Sequence, residues 1–280
     1  MTINSPSSVV PSLSPAVYLV GAGPGDPELM TVKAQRIISL ADVVLYADSL
    51  VPREIVAGVR SDAEVIRTGN KTLEEIVPLM IDRVRSNLAV VRIHSGDLSL
   101  YSAIHEQINA LVAANIPFEL IPGISAFQTA AAKLGVELTV PGVVQSIILT
   151  RISGKASNVP ELEELSSLAA HQASLCLYLS ASHVTAAQEK LLVHYPADTP
   201  IAVCFCLGWA EERIWRGTLA EMTEITHREK LTRNTLYLIS PALKDRQANQ
   251  GVDRGEVNQG GERSRLYHPE HNHIFRPRTH

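Results

Sequence analysis

Cysteine, aromatic side chains, long apolar runs and net charge are all scarce in this chain, and each scarcity excludes something. Three cysteines among 280 residues are an odd number without framework spacing, which rules out a disulfide scaffold. Cys204 and Cys206 flank Phe205, so strand alternation turns both to one face. No histidine or second cysteine pair completes a metal set beside them, and they read as small buried hydrophobes. No uninterrupted apolar run reaches the roughly 18 residues that a membrane-spanning helix needs. The first residues lack a basic stretch followed by an apolar one, so no secretory leader is expected and the protein is placed in the cytoplasm, away from membranes. A formal net charge of −4 gives no global attraction to nucleic acid or to an anionic surface.

What is present is ordinary for a folded chain: 45% hydrophobic and 19% charged residues, in a length that suits one large or two medium domains. Residues 1–15 are rich in serine and proline and read as a flexible leader; residues 244–280 are polar, glycine-punctuated and without apolar periodicity, and read as a disordered tail. His268, His271 and His273 lie in that tail with no partner set that fixes a metal geometry. Between the tails, strand-like and helix-like segments alternate. Strands are predicted at 17–22, 42–47, 89–94 and 118–121, and helices at 31–40, 73–84, 100–114 and 125–134. Pro78 is expected to kink or restart the second of these helices. A second set follows, with strands at 146–151, 174–179, 201–206, 213–216 and 235–240 and helices at 161–170, 184–194 and 219–228. The alternation predicts an α/β architecture with largely parallel sheets, in two domains spanning 16–139 and 140–243, with the 213–216 strand antiparallel to its predecessor.

The first strand ends in Gly21-Ala22-Gly23-Pro24-Gly25-Asp26-Pro27. Glycines at a strand end let the backbone bend and let a flat ligand approach the main chain. A dinucleotide fingerprint would place a third glycine where Asp26 stands and would have an amide where Pro24 has none; a phosphate-binding Gly-Lys-Ser/Thr is also missing. The loop is therefore either a tight turn in which Asp26 caps a helix beginning at Pro27, or a site for a ligand without phosphates. Further turns of this kind follow other predicted strands: 94–101 (HSGDLSLY), 122–126 (PGISA), Leu179-Ser180 and 206–209 (CLGW). Ligands of α/β proteins gather at such strand ends.

Taken in order, these pieces resemble the tetrapyrrole (corrin/porphyrin) methyltransferase family over roughly residues 16–242. The glycine loop is followed by Leu29-Met30-Thr31-Val32-Lys33-Ala34, then by Ala41-Asp42-Val43-Val44, by Gly96-Asp97, by Pro122-Gly123-Ile124-Ser125-Ala126 and by Arg216-Gly217-Thr218-Leu219. Within the family, 47–51, 92–97, 125–128, 137–141, Gln145 and 149–151 are most similar to the branch that methylates carbon C11 of precorrin-4, or of its cobalt-bound counterpart, in cobalamin synthesis. Leu98 stands where the family has a proline, and Ser102 where it has a glycine.

The resemblance implies two α/β domains with a cleft between them that holds S-adenosylmethionine, a cosubstrate that carries no phosphate. It implies cofactor contacts at Pro24, Ser95, Gly96, Asp97, Leu100, Ser125, Ala126, Leu179 and Leu207, many of them through the backbone. Asp97 is expected to accept hydrogen bonds from the ribose or to balance the cofactor's charge. Asp26 is the candidate for orienting the macrocycle or taking a proton, and Lys33, Arg92 and Arg151 are candidates for the substrate's carboxylates. It further implies a homodimer, no metal required by the protein and no nucleic-acid partner. The rival readings are another ring-carbon methyltransferase acting at C2/C7, C17 or C20, a nicotinamide-dependent dehydrogenase, and a non-catalytic tetrapyrrole-binding protein.

Overall fold

The computed structural model describes residues 12–153 and 158–244; most of the expected leader and tail, with their histidines, lies outside them. The chain divides into two compact units, Met1–Thr129 with Leu207–Ala210, and Ala130–Cys206 with Glu211–His280.

The first unit is built on five short strands: β1 (Val17–Gly21), β2 (Val43–Tyr46), β3 (Glu64–Arg67), β4 (Val90–His94) and β5 (Phe118–Ile121). They form one all-parallel sheet in the order β3-β2-β4-β1-β5. The strands β1, β2 and β4 are buried along their whole length, as the sequence's continuous apolar runs demand of a sheet covered on both faces. Tyr18, Val20, Val44, Tyr46, Val91 and Ile93 pack on one side against Ala34, Ile37 and Ile38 of α1 (Val32–Leu40). Val17, Leu19, Val43, Leu45 and Val90 pack on the other against α2 (Leu73–Arg85) and α3 (Ile104–Ala113). The connection leaving β1 therefore covers one face and that leaving β4 covers the opposite one. Since β1 and β4 are neighbours, their carboxyl ends form a topological switch point, where open α/β sheets carry their ligands.

Three details depart from the sequence expectations. β3 was absent from them, because Glu64–Arg67 is a mostly exposed edge strand with no apolar alternation to reveal it. α2 runs unbroken through Pro78; Pro78 and Glu74, whose carbonyl it fails to engage, are both exposed, so the lost bond falls on the solvent side of the helix, where it costs least. α3 begins at Ile104 rather than at residue 100, because Tyr101 and Ala103 adopt left-handed backbone at φ 54° and 49°.

The second unit holds β6 (Ile147–Arg151), β7 (Ser174–Tyr178), β8 (Pro200–Phe205), β9 (Arg213–Thr218) and β10 (Thr235–Ile239), in the order β6-β7-β10-β8-β9. One face buries Leu175, Leu177, Ile201, Val203, Tyr237 and Ile239 against α5 (Leu165–Ala169), α6 (Val184–Leu192) and α7 (Met222–Arg228). Here the expectation of a largely parallel sheet is corrected: only β6 and β7 are parallel, and β10 runs antiparallel to both β7 and β8. The β8–β9 hairpin, antiparallel as expected, reverses the chain, and the helical crossover through α7 carries that reversed direction into β10. Cys176, Cys204 and Cys206 are free and buried. Burial pushes the thiols of Cys176 and Cys204 up to about 12, which makes them inert core side chains. The helix α4 (Ala126–Leu134) contains the division between the units.

Leu19 is fully buried at the centre of the first sheet. Leu19→Ala is expected to lower the unfolding free energy by about 2–5 kcal/mol, read from urea denaturation followed by circular dichroism.

Candidate functional site

The turns that follow β1, β4 and β5 are fused to one another by their backbones. The amide of Ala22 donates to the carbonyl of His94 at 2.9 Å. Gly23 and Gly96 then exchange two hydrogen bonds, at 3.1 and 2.7 Å, as an isolated antiparallel bridge. Gly123 closes the set. A Cβ on it would lie 2.2 Å from the carbonyl oxygen of Gly96 and 2.6 Å from that of Gly21, and a Cβ on Gly21 would lie 2.7 Å from the Gly123 nitrogen. At these two positions the absent side chain is required by neighbouring protein backbone rather than by a ligand. Gly23 is constrained in both ways, by its φ of 76° and by the Leu29 carbonyl oxygen, from which a Cβ would lie 2.9 Å.

Asp97 locks this arrangement. Its Oδ2 accepts the Gly123 amide at 2.8 Å, and its Oδ1 accepts the amide of Ser99 at 2.9 Å together with the Ser99 hydroxyl. Burial opposes the charge on this carboxylate, but the bonds from Ser99 and from Gly123 outweigh it and hold the group below the ordinary carboxylate range. The carboxylate for which the resemblance implies a cofactor contact thus also joins two loops.

The glycine loop itself is pinned from a distant part of the sequence. Residues 207–210 belong to the first unit, and Trp209 Nε1 donates to the carbonyl of Pro24 at 3.2 Å. A Cβ on Gly25 would lie 2.4 Å from the Trp209 ring, and one on Gly208 would lie 2.8 Å from the Asp26 amide. Asp26 caps the short 3₁₀ turn Pro27–Leu29, its Oδ1 accepting the Glu28 amide at 2.9 Å. A carboxylate of the protein therefore occupies the position where a dinucleotide site presents its helix N-terminus to phosphate.

Of the residues singled out in the sequence, Pro24, Asp26, Ser95, Gly96, Asp97, Leu100, Ser125, Ala126 and Leu207 belong to this unit. Pro24, Gly96, Ser125 and Leu207 are buried or half-buried, whereas Ser95 is exposed. The Ser125 amide donates to Gln128 Oε1 at 2.9 Å. Leu179 follows β7 in the second unit, with left-handed backbone at φ 51° and a largely exposed side chain. Lys33 is exposed on α1 and ion-paired with Glu119 on β5. Arg151 ends β6, where its guanidinium donates to the carbonyls of Ile152 and Asn158 at 3.3 and 3.4 Å.

Arg92 points into the same face as Leu19 and Leu45, its register partners, and is buried. Its Nη1 donates to Thr68 Oγ1 at 2.7 Å. Two residues on, His94 is buried beside it, and burial, with the charge of Arg92 adding to it, pushes the imidazole down to about 3. Gln107 of α3 is buried over this row, with Nε2 donating to the carbonyls of Ser102 and Ala103 at 3.4 and 3.2 Å, so that it steadies the left-handed turn ahead of its own helix. Sequence reading gave no role to Thr68, Gln107 or Trp209. Trp209 stood in a noted turn; for Thr68 and Gln107 no sequence signal exists, since only the fold brings them to β4.

The sequence profile of the Tetrapyrrole (Corrin/Porphyrin) Methylases matches residues 16–223. A precorrin-4 C(11)-methyltransferase of Pseudomonas aeruginosa is 41% identical over 93% of this chain and 98% of its own length. A cobalt-precorrin-4 C(11)-methyltransferase of Methanocaldococcus jannaschii is 40% identical over 81% of this chain and 88% of its own. Among solved structures, a cobalt precorrin-4 methyltransferase matches with TM-score 0.78 at 38% identity, over 81% of this chain and 95% of that one. A uroporphyrin-III C-methyltransferase from Thermus thermophilus, in complex with S-adenosylhomocysteine, matches with TM-score 0.70 at 25% identity, over 82% and 99%.

The buried neutral His94 makes stability pH-dependent. Its unfolded value is about 6.5 and its folded value about 3. Between these the unfolded chain binds a proton that the folded protein does not, so this contribution is intact above about pH 6.5 and is lost as the pH falls towards the folded value. Urea titrations at pH 7, 6 and 5 are expected to show stability falling with acidification, at a slope approaching ~1.4 kcal/mol per pH unit from this group. His94→Gln should flatten that slope; an unchanged slope would assign it elsewhere.

Proposed function

The chain belongs to the tetrapyrrole (corrin/porphyrin) methylase family, and we propose from this that it transfers the methyl group of S-adenosylmethionine to C11 of precorrin-4, or of cobalt-precorrin-4, in cobalamin biosynthesis. The observation that carries the reading is the near-full-length similarity, at 40–41% identity, to relatives of that name. The geometry of the first unit agrees with it. A cradle of backbone with no amide at Pro24, and with Asp26 capping the 3₁₀ turn that follows the glycine loop, suits a cosubstrate without phosphate and disfavours a dinucleotide.

S-adenosylmethionine supplies an electrophilic methyl on a sulfonium, whose departure as a neutral thioether needs no general acid. The protein's task is positioning in a site that excludes water. Pro24, Ser95, Gly96, Leu100, Ser125, Ala126 and Leu207 contribute this largely through main-chain groups, fixed by the Gly21, Gly96 and Gly123 contacts and by Asp97, which acts through those loops. Asp26 keeps Oδ2 uncommitted and is the candidate acceptor for the proton that the ring gives up on methylation. Arg92, Lys33 and Arg151 are assigned to the substrate's carboxylates, and Leu179 to the cosubstrate. Homodimerisation and a cytoplasmic location complete the reading; light scattering and cell fractionation test them.

Calorimetry is expected to show binding of S-adenosylhomocysteine and none of NAD. Incubation with precorrin-4 and methyl-labelled cosubstrate, followed by NMR, should locate the label on C11, and pretreatment with EDTA should leave turnover intact. Asp26→Asn should preserve the cap and lower kcat by 10²-fold or more if Asp26 takes the proton. Label on another ring carbon would transfer the chain to a sister activity of the family.

A further inference from the structure

Among the described residues Arg92 Nε is a buried side-chain atom without a hydrogen-bond partner; beside it the side chains of His94 and Gln107 engage one another, which raises the imidazole against the larger effect of burial. Such atoms are rare in folded proteins, and each calls for an explanation in strain, in function, or in a water, ion or ligand that meets it. Arg92 is the informative member. Only 7% of its surface is accessible. Burial alone moves its guanidinium, to about 10, so it remains a cation at neutral pH. No carboxylate among the described residues is paired with it, and Thr68 Oγ1 is its one hydrogen-bond acceptor. A buried charge without a counter-charge is costly, and folded proteins ordinarily pair it.

The geometry also says which edge lacks a partner. Thr68 takes Nη1, and the orphaned Nε lies on the other side of the fork, where Nε–H and an Nη2–H run parallel. Two arginines of this protein use that same edge to grip a carboxylate. Arg83 holds Glu64 at 2.7 Å through Nε and 2.9 Å through Nη2, and Arg60 holds Asp62 at 2.9 and 2.8 Å. Arg92 presents the same fork with no carboxylate in it.

We propose that the Nε/Nη2 edge of Arg92 is a binding site for a ligand carboxylate, held bidentate, with Thr68 fixing the guanidinium plane and with His94 and Gln107 kept neutral beside it. The inference rests on the reading of the protein as a tetrapyrrole methyltransferase in one respect: both ligands of that reaction carry carboxylates. The position favours the tetrapyrrole's acetate or propionate arm. Thr68 follows β3, so the fork lies at the β3-β2-β4 end of the sheet, whereas the glycine cradle lies at the β4-β1-β5 end. The cosubstrate's methionine carboxylate is the other source.

The test uses the full-length protein with two probes: uroporphyrin III, a stable tetrapyrrole rich in acetate and propionate, titrated by fluorescence, and S-adenosylhomocysteine, titrated by calorimetry. Arg92→Met should raise the Kd for uroporphyrin at least tenfold and leave that for S-adenosylhomocysteine within twofold. Arg92→Lys, which keeps the charge and loses the fork, should fall between. The melting temperature of ligand-free Arg92→Met should equal or exceed that of the parent, because an unpaired buried charge is removed. A tenfold loss confined to S-adenosylhomocysteine would still support a ligand carboxylate and would assign it to the cosubstrate. Unchanged affinity for both probes, or a lower melting temperature with no change in affinity, would overturn the proposal by making Arg92 structural. If Arg92→Met does not fold, Arg92→Lys and Thr68→Val carry the same comparison. Failure of the parent to methylate precorrin-4, with the Arg92 effect on uroporphyrin intact, would remove the enzymatic reading and leave the carboxylate site standing.

Discussion

The first unit depends on how closely three pieces of main chain can approach one another. Gly21 and Gly123 meet each other and the Gly96 carbonyl so closely that a Cβ on either would clash with main chain, and this brings the ends of three adjacent strands together. The Gly23–Gly96 bridge, the capture of the Gly123 amide by Asp97 and the packing of Trp209 on Gly25 all presuppose that approach. The result is a strand-end surface shaped by main chain rather than by side chains. It is set at the switch point of a parallel sheet, where helices leave on opposite faces. Rigid main chain suits a cosubstrate that has to be held in one pose while a methyl group moves in line.

Much of this was legible in the sequence, for a physical reason. A covered parallel sheet needs continuous apolar strands, so β1, β2 and β4 announce themselves, and glycine at a strand end is hard to explain without a turn or a close approach. The departures from a dinucleotide fingerprint were also informative: Pro24 lacks an amide, and the carboxylate of Asp26 sits on the Glu28 amide as an N-cap. What stayed hidden is what depends on partners distant in sequence. Nothing in Glu64–Arg67 distinguishes an exposed edge strand from a loop. The left-handed residues that delay α3 are a tyrosine and an alanine, neither of which advertises that conformation. In the second unit, strand–helix alternation says nothing of direction once a hairpin has turned the chain, so the antiparallel course of β10 had no local signal.

Residue roles divide along the same line. The motif containing Asp97 could be read from sequence, but its role in binding two loops together could not, because its acceptor geometry depends on Gly123, a residue one strand further along the chain. Arg92 shows the converse. Its place within an apolar strand is visible in the sequence, while its open fork is visible only after Thr68 is found on one side of the guanidinium and no acid on the other. In both cases the side-chain chemistry is written locally and its use is assigned by the fold.

Trp209 has a consequence for how the protein comes into being. The indole that braces the glycine loop is made some 185 positions after it, in a segment separated from the rest of its unit by residues of the second one. On the ribosome, the strands of the first sheet can pair before that segment emerges, but the Pro24 carbonyl must wait for its donor. The nascent first unit would thus exist with its sheet assembled and its glycine loop unbraced until residues 207–210 emerge. The brace on the cradle would arrive well after the residues that form the cradle are made.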